Sequence, residues 1–212
     1  TPVFLEMQAR RQAAAELPLR TVLRDHRAVL LPAMLLTCVL TSAVVVLVVI
    51  TPTMMQKTFG MSPSHTFALS ALGIVFLNIG CVLAGLLVDR IGAWRTVLVY
   101  SLLLPVGIAV LYASLISGGV WLGAAYAVAG LSCGVVGAVP SVMVGLFPAP
   151  VRVSGISFTY NIAYALWAST TPLLLIALMP TSPWICVGYC VVMGAVGVVS
   201  VALFGKRHTL AT

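Results

Sequence analysis

Six stretches of this chain are apolar over lengths that match a lipid bilayer, and no other feature restricts the fold as tightly. A helix needs about 20 mostly apolar residues to cross the hydrocarbon core. The stretches cover residues 28–50, 62–88, 96–116, 120–147, 155–179 and 184–204. Hydrocarbon offers the backbone no water, so only helices and closed barrels cross it. A barrel strand alternates apolar and polar residues at period two. Here the apolar residues are continuous, as in Ala43-Val44-Val45-Val46-Leu47-Val48-Val49-Ile50. The expected fold is an all-α membrane protein with six transmembrane helices. Composition agrees: 61% of residues are hydrophobic and 7% charged, against about 25% charged in a soluble domain.

The polar flanks divide the chain into a linker over residues 1–27, a bundle over 28–204 and a tail over 205–212. The linker has some helical tendency over 8–16. The second stretch opens at Ser62-Pro63, a capping serine followed by proline in the first helical position. Pro105, Pro140 and Pro172 fall inside the third, fourth and fifth stretches. Neighbouring helices in a membrane can re-satisfy the carbonyls that such prolines free.

Charge orients the bundle. Of the 11 lysines and arginines, all but Lys57 fall on one side if the six stretches alternate in direction. Arg10, Arg11, Arg20, Arg24 and Arg27 precede the first stretch. Arg90 and Arg95 lie between the second and third, Arg152 between the fourth and fifth, and Lys206 and Arg207 after the sixth. The positive-inside rule makes that side cytoplasmic and puts both chain ends there. The formal net charge of +7 is thereby accounted for as topology, and a nucleic-acid partner is not expected; the surrounding partner is the lipid bilayer.

The membrane interior holds no charge near the centre of any stretch. Intramembrane charges usually mark function, so a proton relay is hard to build from these helices alone. No His-Glu-x-x-His pair and no Gly-x-Ser-x-Gly elbow is present. His26 and His208 flank the stretches. No catalytic residue, metal site or cofactor is expected. The five cysteines, Cys38, Cys81, Cys133, Cys186 and Cys190, all lie in apolar stretches, where a thiol behaves as a small hydrophobe. Gly80-x-x-x-Ala84, Gly130-x-x-x-Gly134 with Gly137, and Gly194 with Gly197 are small-residue spacings that let helices approach closely.

The polar residues that enter the stretches are neutral. Among them Thr37, Thr41, Asn78, Tyr126, Ser132, Tyr160, Asn161 and Tyr164 are the candidates for lining a solute path. Hydroxyls can bond their own helix backbone, but an amide is harder to bury. Tyr160 and Tyr164 are four residues apart and share a helix face. With Asn161 between them they form the best cavity-lining group.

Two loops carry recognisable patterns. Gly85-Leu86-Leu87-Val88-Asp89-Arg90-Ile91-Gly92-Ala93-Trp94-Arg95 resembles the G-x-x-x-D-R-x-G-R-[RK] loop of the major facilitator superfamily, with Ala93-Trp94 where that family usually carries basic residues. Gly85 permits close helix contact, Asp89 can accept from helix N-termini or cytoplasmic arginines, and Gly92 permits a tight turn. The second pattern, running from Leu146-Phe147-Pro148 through Arg152, Ser154 and Gly155 to Tyr160-Asn161, resembles the LFP-x-x-VR-x-SG-x-x-x-x-YN signature of metabolite–proton symporters in that superfamily. This group includes carriers of proline and betaine, α-ketoglutarate, shikimate and citrate. The opening Thr1-Pro2-Val3-Phe4 is similar to a segment after the sixth helix of the same group.

The resemblance implies the C-terminal six-helix bundle of a twelve-helix carrier, built from two inverted three-helix repeats. It implies that the first and fourth helices line a cavity and that the second and fifth face an N-terminal six-helix half of the same carrier. Thr37, Thr41, Tyr126 and Ser132 would then reach solute. Asn78, Tyr160, Asn161 and Tyr164 would lie along the cleft wall. Gly85, Asp89, Arg90, Gly92 and Arg152 would belong to the cytoplasmic gate. The implied activity is transport of a small polar metabolite, an organic acid or a zwitterionic osmolyte, by proton symport with alternating access in a bacterial inner membrane. The other expectation is a truncated, transport-inactive half, or a half needing a partner bundle; a sequence that begins at Thr1 without methionine suggests part of a longer polypeptide.

Overall fold

The structure, a computed structural model, describes residues 18–205. The expected helical tendency over 8–16, the opening Thr1-Pro2-Val3-Phe4 and the charges from Lys206 onward lie outside the described residues. Six helices have the length and apolarity of membrane spans: Arg27–Lys57, Pro63–Ile91, Ala93–Ile116, Leu122–Leu146, Arg152–Leu178 and Ile185–Gly205. They are called here the first to sixth spans. A short helix, Pro18–Asp25, precedes them, and among the described residues there is no strand. The six-span reading of the hydropathy therefore holds.

The first span departs most from its expected limits. It runs past Ile50 to Lys57, through a π-turn at Val46–Ile50 and a final α segment, Thr51–Lys57. Pro52 sits in the first turn of that segment, directly after the π-turn, and as a proline it brings no N–H to the helix. The fourth span is broken between Leu122–Ser132 and Val135–Leu146. Around the break Cys133 N–H reaches Gly130 O (3.1 Å) and Gly134 N–H reaches Leu131 O (3.2 Å), a local tightening to three-residue turns. Ser62 does occupy the capping position of the second span, but its side chain caps nothing. Its carbonyl instead accepts from both the Thr66 amide and the Thr66 hydroxyl, each at 3.0 Å.

The packing follows a simple exchange. The second span packs on the fourth as the fifth packs on the first; the third packs on the fourth as the sixth packs on the first; the first meets the fourth, and the third meets the sixth. Swapping one for four, two for five and three for six leaves this pattern unchanged. The paired spans run in opposite directions, so two three-helix units are related by inversion. The first span is the most enclosed, whereas the second and fifth are the most open.

Small residues set how closely these helices approach. Along the contact between second and fourth spans, a Cβ at Gly80 would stand 2.7 Å from Leu131 O, and one at Gly137 2.6 Å from Cys81 O. At Gly130 it would run into Gly73 O, and at Gly134 into Gly80 O and the Tyr100 ring. Between third and sixth spans, Gly194 and Gly197 lie against Ser101 in the same way. Without a hydrophobic drive between helices in lipid, such backbone contact supplies the association through dispersion and interhelical hydrogen bonds.

Candidate functional site

The candidate residues divide into two populations. Thr37, Thr41 and Tyr126 are fully enclosed, and Ser132 nearly so. Thr37 Oγ1 donates to Ala33 O and Thr41 Oγ1 to Thr37 O, both at 2.8 Å. Ser132 Oγ donates to Ala129 O at 2.8 Å. Hydroxyls can close such bonds onto their own helix, and these three do. Thr37, Thr41, Tyr126 and Ser132 therefore sit within helix–helix contacts in this structure rather than on an open wall. Ser132 fills the space left by Gly107 of the third span, and the Tyr126 ring fills that left by Gly73 of the second.

The second population is open. Asn78 on the second span and Asn161 on the fifth are exposed. Asn78 Nδ2 donates to Ile74 O at 2.8 Å and Asn161 Nδ2 to Ser157 O at 2.7 Å. Each amide has two N–H groups and a carbonyl, so one backbone bond leaves most of its capacity unused. Tyr160 and Tyr164 stack with ring centroids 5.6 Å apart and planes 19° from parallel. They are partly buried against the core, and Asn161 adjoins them on the more exposed side. Exposed apolar residues flank these groups: Val75 and Val82 on the second span, Leu166 and Leu173 on the fifth. On the fifth span the two tyrosine rings are thus stacked, while Asn161 bonds back to its own helix.

The loop residues have clear local reasons. Gly92 joins the second and third spans as a single connecting residue at φ 87° and ψ 156°, a backbone region nearly exclusive to glycine. Asp89 and Arg90 are exposed beside it. Gly85 differs from its expected role: a Cβ there would meet nothing within 4 Å, so it makes no close helix contact inside this bundle. Arg152 Nε donates to Phe147 O at 3.1 Å, closing the loop between fourth and fifth spans. Phe147 is buried, and its ring occupies the space a side chain at Gly155 would need. The LFP…VR…SG spacing is therefore a folded loop, with phenylalanine, arginine and glycine mutually fitted. In the Pro18–Asp25 helix, the Arg24 guanidinium holds the Asp25 carboxyl below the usual carboxylate range, with Nε 2.9 Å from Oδ1.

Three hydroxyl residues escaped the sequence reading and organise the interior. Tyr189 of the sixth span bonds Ser42 of the first at 2.9 Å and Thr171 of the fifth at 2.7 Å. Tyr112 of the third span meets Thr51 of the first at 3.3 Å. Thr51 Oγ1 in turn donates to Val46 O at 2.8 Å. The available signal was a tyrosine inside an apolar run, which must find a partner for its hydroxyl, and a threonine just before a proline. Among the described residues no group of histidines, cysteines and carboxylates could hold a metal ion.

Six apolar spans in two inverted triplets, with neutral polar groups on the two most open helices, define a multi-pass membrane protein. The sequence profile of the Major Facilitator Superfamily matches residues 4–172, and the chain belongs to that superfamily, whose members are transporters rather than enzymes. No curated protein and no solved structure matches it.

Proposed function

We propose that this chain is one half of a carrier for a small polar metabolite, an organic acid or a zwitterionic osmolyte, and that it works against a second six-helix half by alternating access with proton symport. The observation that carries the reading is the placement of Asn78 and Asn161. An amide left partly unpaired in hydrocarbon costs several kcal/mol, on the order of 4–8 for transfer to an alkane. The second and fifth spans, the most open of the six, each present one such amide. A face of this kind suits a water-filled cleft bounded by another bundle better than it suits lipid. Tyr160, Asn161 and Tyr164 offer solute a flat aromatic surface and an amide, with Asn78 on the opposing helix pair. No charged side chain stands mid-span, so the titrating carboxylate and any counter-ion for an anionic solute belong to the other half.

The bundle lies in a bacterial inner membrane with residues 1–27 and 205–212 on the cytoplasmic side, as the positions of the basic residues favour. Asp89, Arg90, Gly92 and Arg152 then stand at the cytoplasmic mouth. Uptake of labelled proline, betaine, citrate and α-ketoglutarate into vesicles tests the reading, using the chain joined to a six-helix N-terminal half, with and without a protonophore. Protonophore-sensitive uptake of at least one solute is expected. Absence of such uptake for all four removes the metabolite-symport reading.

A further inference from the structure

The first span contains a carbonyl with no helical donor. At the π-turn, the Thr51 amide bonds Val46 O instead of Leu47 O, its partner in an α-helix. A continued π register would give Leu47 O to residue 52, but residue 52 is proline and has no N–H. The orphan lies in a buried setting: Val46, Leu47, Ile50, Thr51 and Met54 are all enclosed. A buried carbonyl must find a donor, and the Tyr126 hydroxyl of the fourth span supplies it at 3.2 Å. The Tyr126 ring is held in place by Gly73 of the second span, and Ser70 Oγ of that span stands 3.5 Å from the hydroxyl. Val46 O, already bonded to the Thr51 amide, also accepts from the Thr51 side chain at 2.8 Å, and Tyr112 of the third span meets that hydroxyl.

We propose that Tyr126 is the latch of a hinge in the first span. Its hydroxyl stands in for the missing Pro52 amide at Leu47 O and so fixes, against the fourth span, the π-turn from which the segment Thr51–Lys57 continues. Releasing this one side-chain bond frees the segment to move about the π-turn, because no helical hydrogen bond replaces it. Tyr126 is thereby a positioning residue, and its hydroxyl is not free to bind solute while the latch is closed. π-Turns within helices concentrate at functional sites, and an intact α-helix here would have no such release point.

Hydrogen exchange of the Thr51–Lys57 amides, followed by mass spectrometry on the full chain in lipid nanodiscs, tests the proposal without any solute. Tyr126→Phe keeps the ring and removes the hydroxyl. Exchange across the segment should rise about three- to ten-fold, the range expected for losing one interhelical hydrogen bond in a membrane protein, while the other spans keep their protection. Pro52→Ala returns an amide to the helix. Adding Tyr126→Phe to Pro52→Ala should leave exchange at the Pro52→Ala level. Unchanged exchange in Tyr126→Phe overturns the latch, and so does an equal acceleration in both backgrounds. Should Tyr126→Phe alone not fold, a folded Pro52→Ala/Tyr126→Phe chain with slow exchange supports the latch. Failure of both to fold overturns it, because Pro52→Ala is then no substitute for the hydroxyl.

Discussion

The most informative single residues are those whose neighbours dictate their size or polarity. Gly92 holds a backbone angle that other residues avoid, so Gly92→Ala is expected to destabilise the bundle by about 1–3 kcal/mol, read as a lowered midpoint of thermal unfolding in detergent. Gly134 and Gly85 form a contrasting pair. A side chain at Gly134 strikes the Gly80 carbonyl and the Tyr100 ring, whereas one at Gly85 meets open space. Gly134→Ala should cost about 1–3 kcal/mol through overpacking. Gly85→Ala should leave the stability of this bundle unchanged, and a comparable loss in both would mean that the packing is wrong. Asn161 is exposed and bonded only to its own helix. Asn161→Ala should therefore shift stability by no more than about 0.5 kcal/mol while reducing uptake by the complete carrier; wild-type uptake kinetics in that variant would remove Asn161 from the solute path.

Helices in this chain are decided by hydropathy but shaped by exceptions to it. The first span carries a π-turn before Pro52, and the fourth breaks at Cys133-Gly134 although its proline stands later, at Pro140. The break falls where Gly130, Gly134 and Gly137 bring the fourth span against the second. Backbone contact and local distortion coincide there because glycine resists neither. Pro105 and Pro172, by contrast, sit inside helices that run without interruption. A proline in a sequence locates a freed carbonyl but does not say whether the helix will break there. Which neighbour comes to satisfy that carbonyl is a tertiary question, as Tyr126 and Leu47 demonstrate.

The whole molecule is an inverted pair of three-helix units with two open helices. One end of the bundle carries exposed Trp121 and Trp184, and Trp94 lies at the other end beside Gly205. Tryptophans at both margins suit the two membrane–water interfaces. Reporter tags inserted after Arg90 and after Arg207 should both read cytoplasmic; opposite readings would break the six-span alternation. Cysteines introduced at exposed positions of the second and fifth spans should crosslink to an N-terminal six-helix half when both are present in one membrane. Labelling of those positions by lipid-soluble reagents alone, with no crosslink, would speak against a docked second half.

Sequence alone determined the number of spans, their alternating direction and the glycine spacings, because burial in hydrocarbon is read from local composition and length. It also placed Gly92 in a tight turn and Tyr160 beside Tyr164, since a single residue or one helical turn settles both. Only the tertiary structure decided which polar residues are enclosed and which are open. Thr37 and Asn78 are both neutral polar groups within apolar runs, yet one is sealed between helices and the other is exposed. The difference lies in which helix packs against which, a property of contacts between segments far apart in the chain that no local pattern encodes.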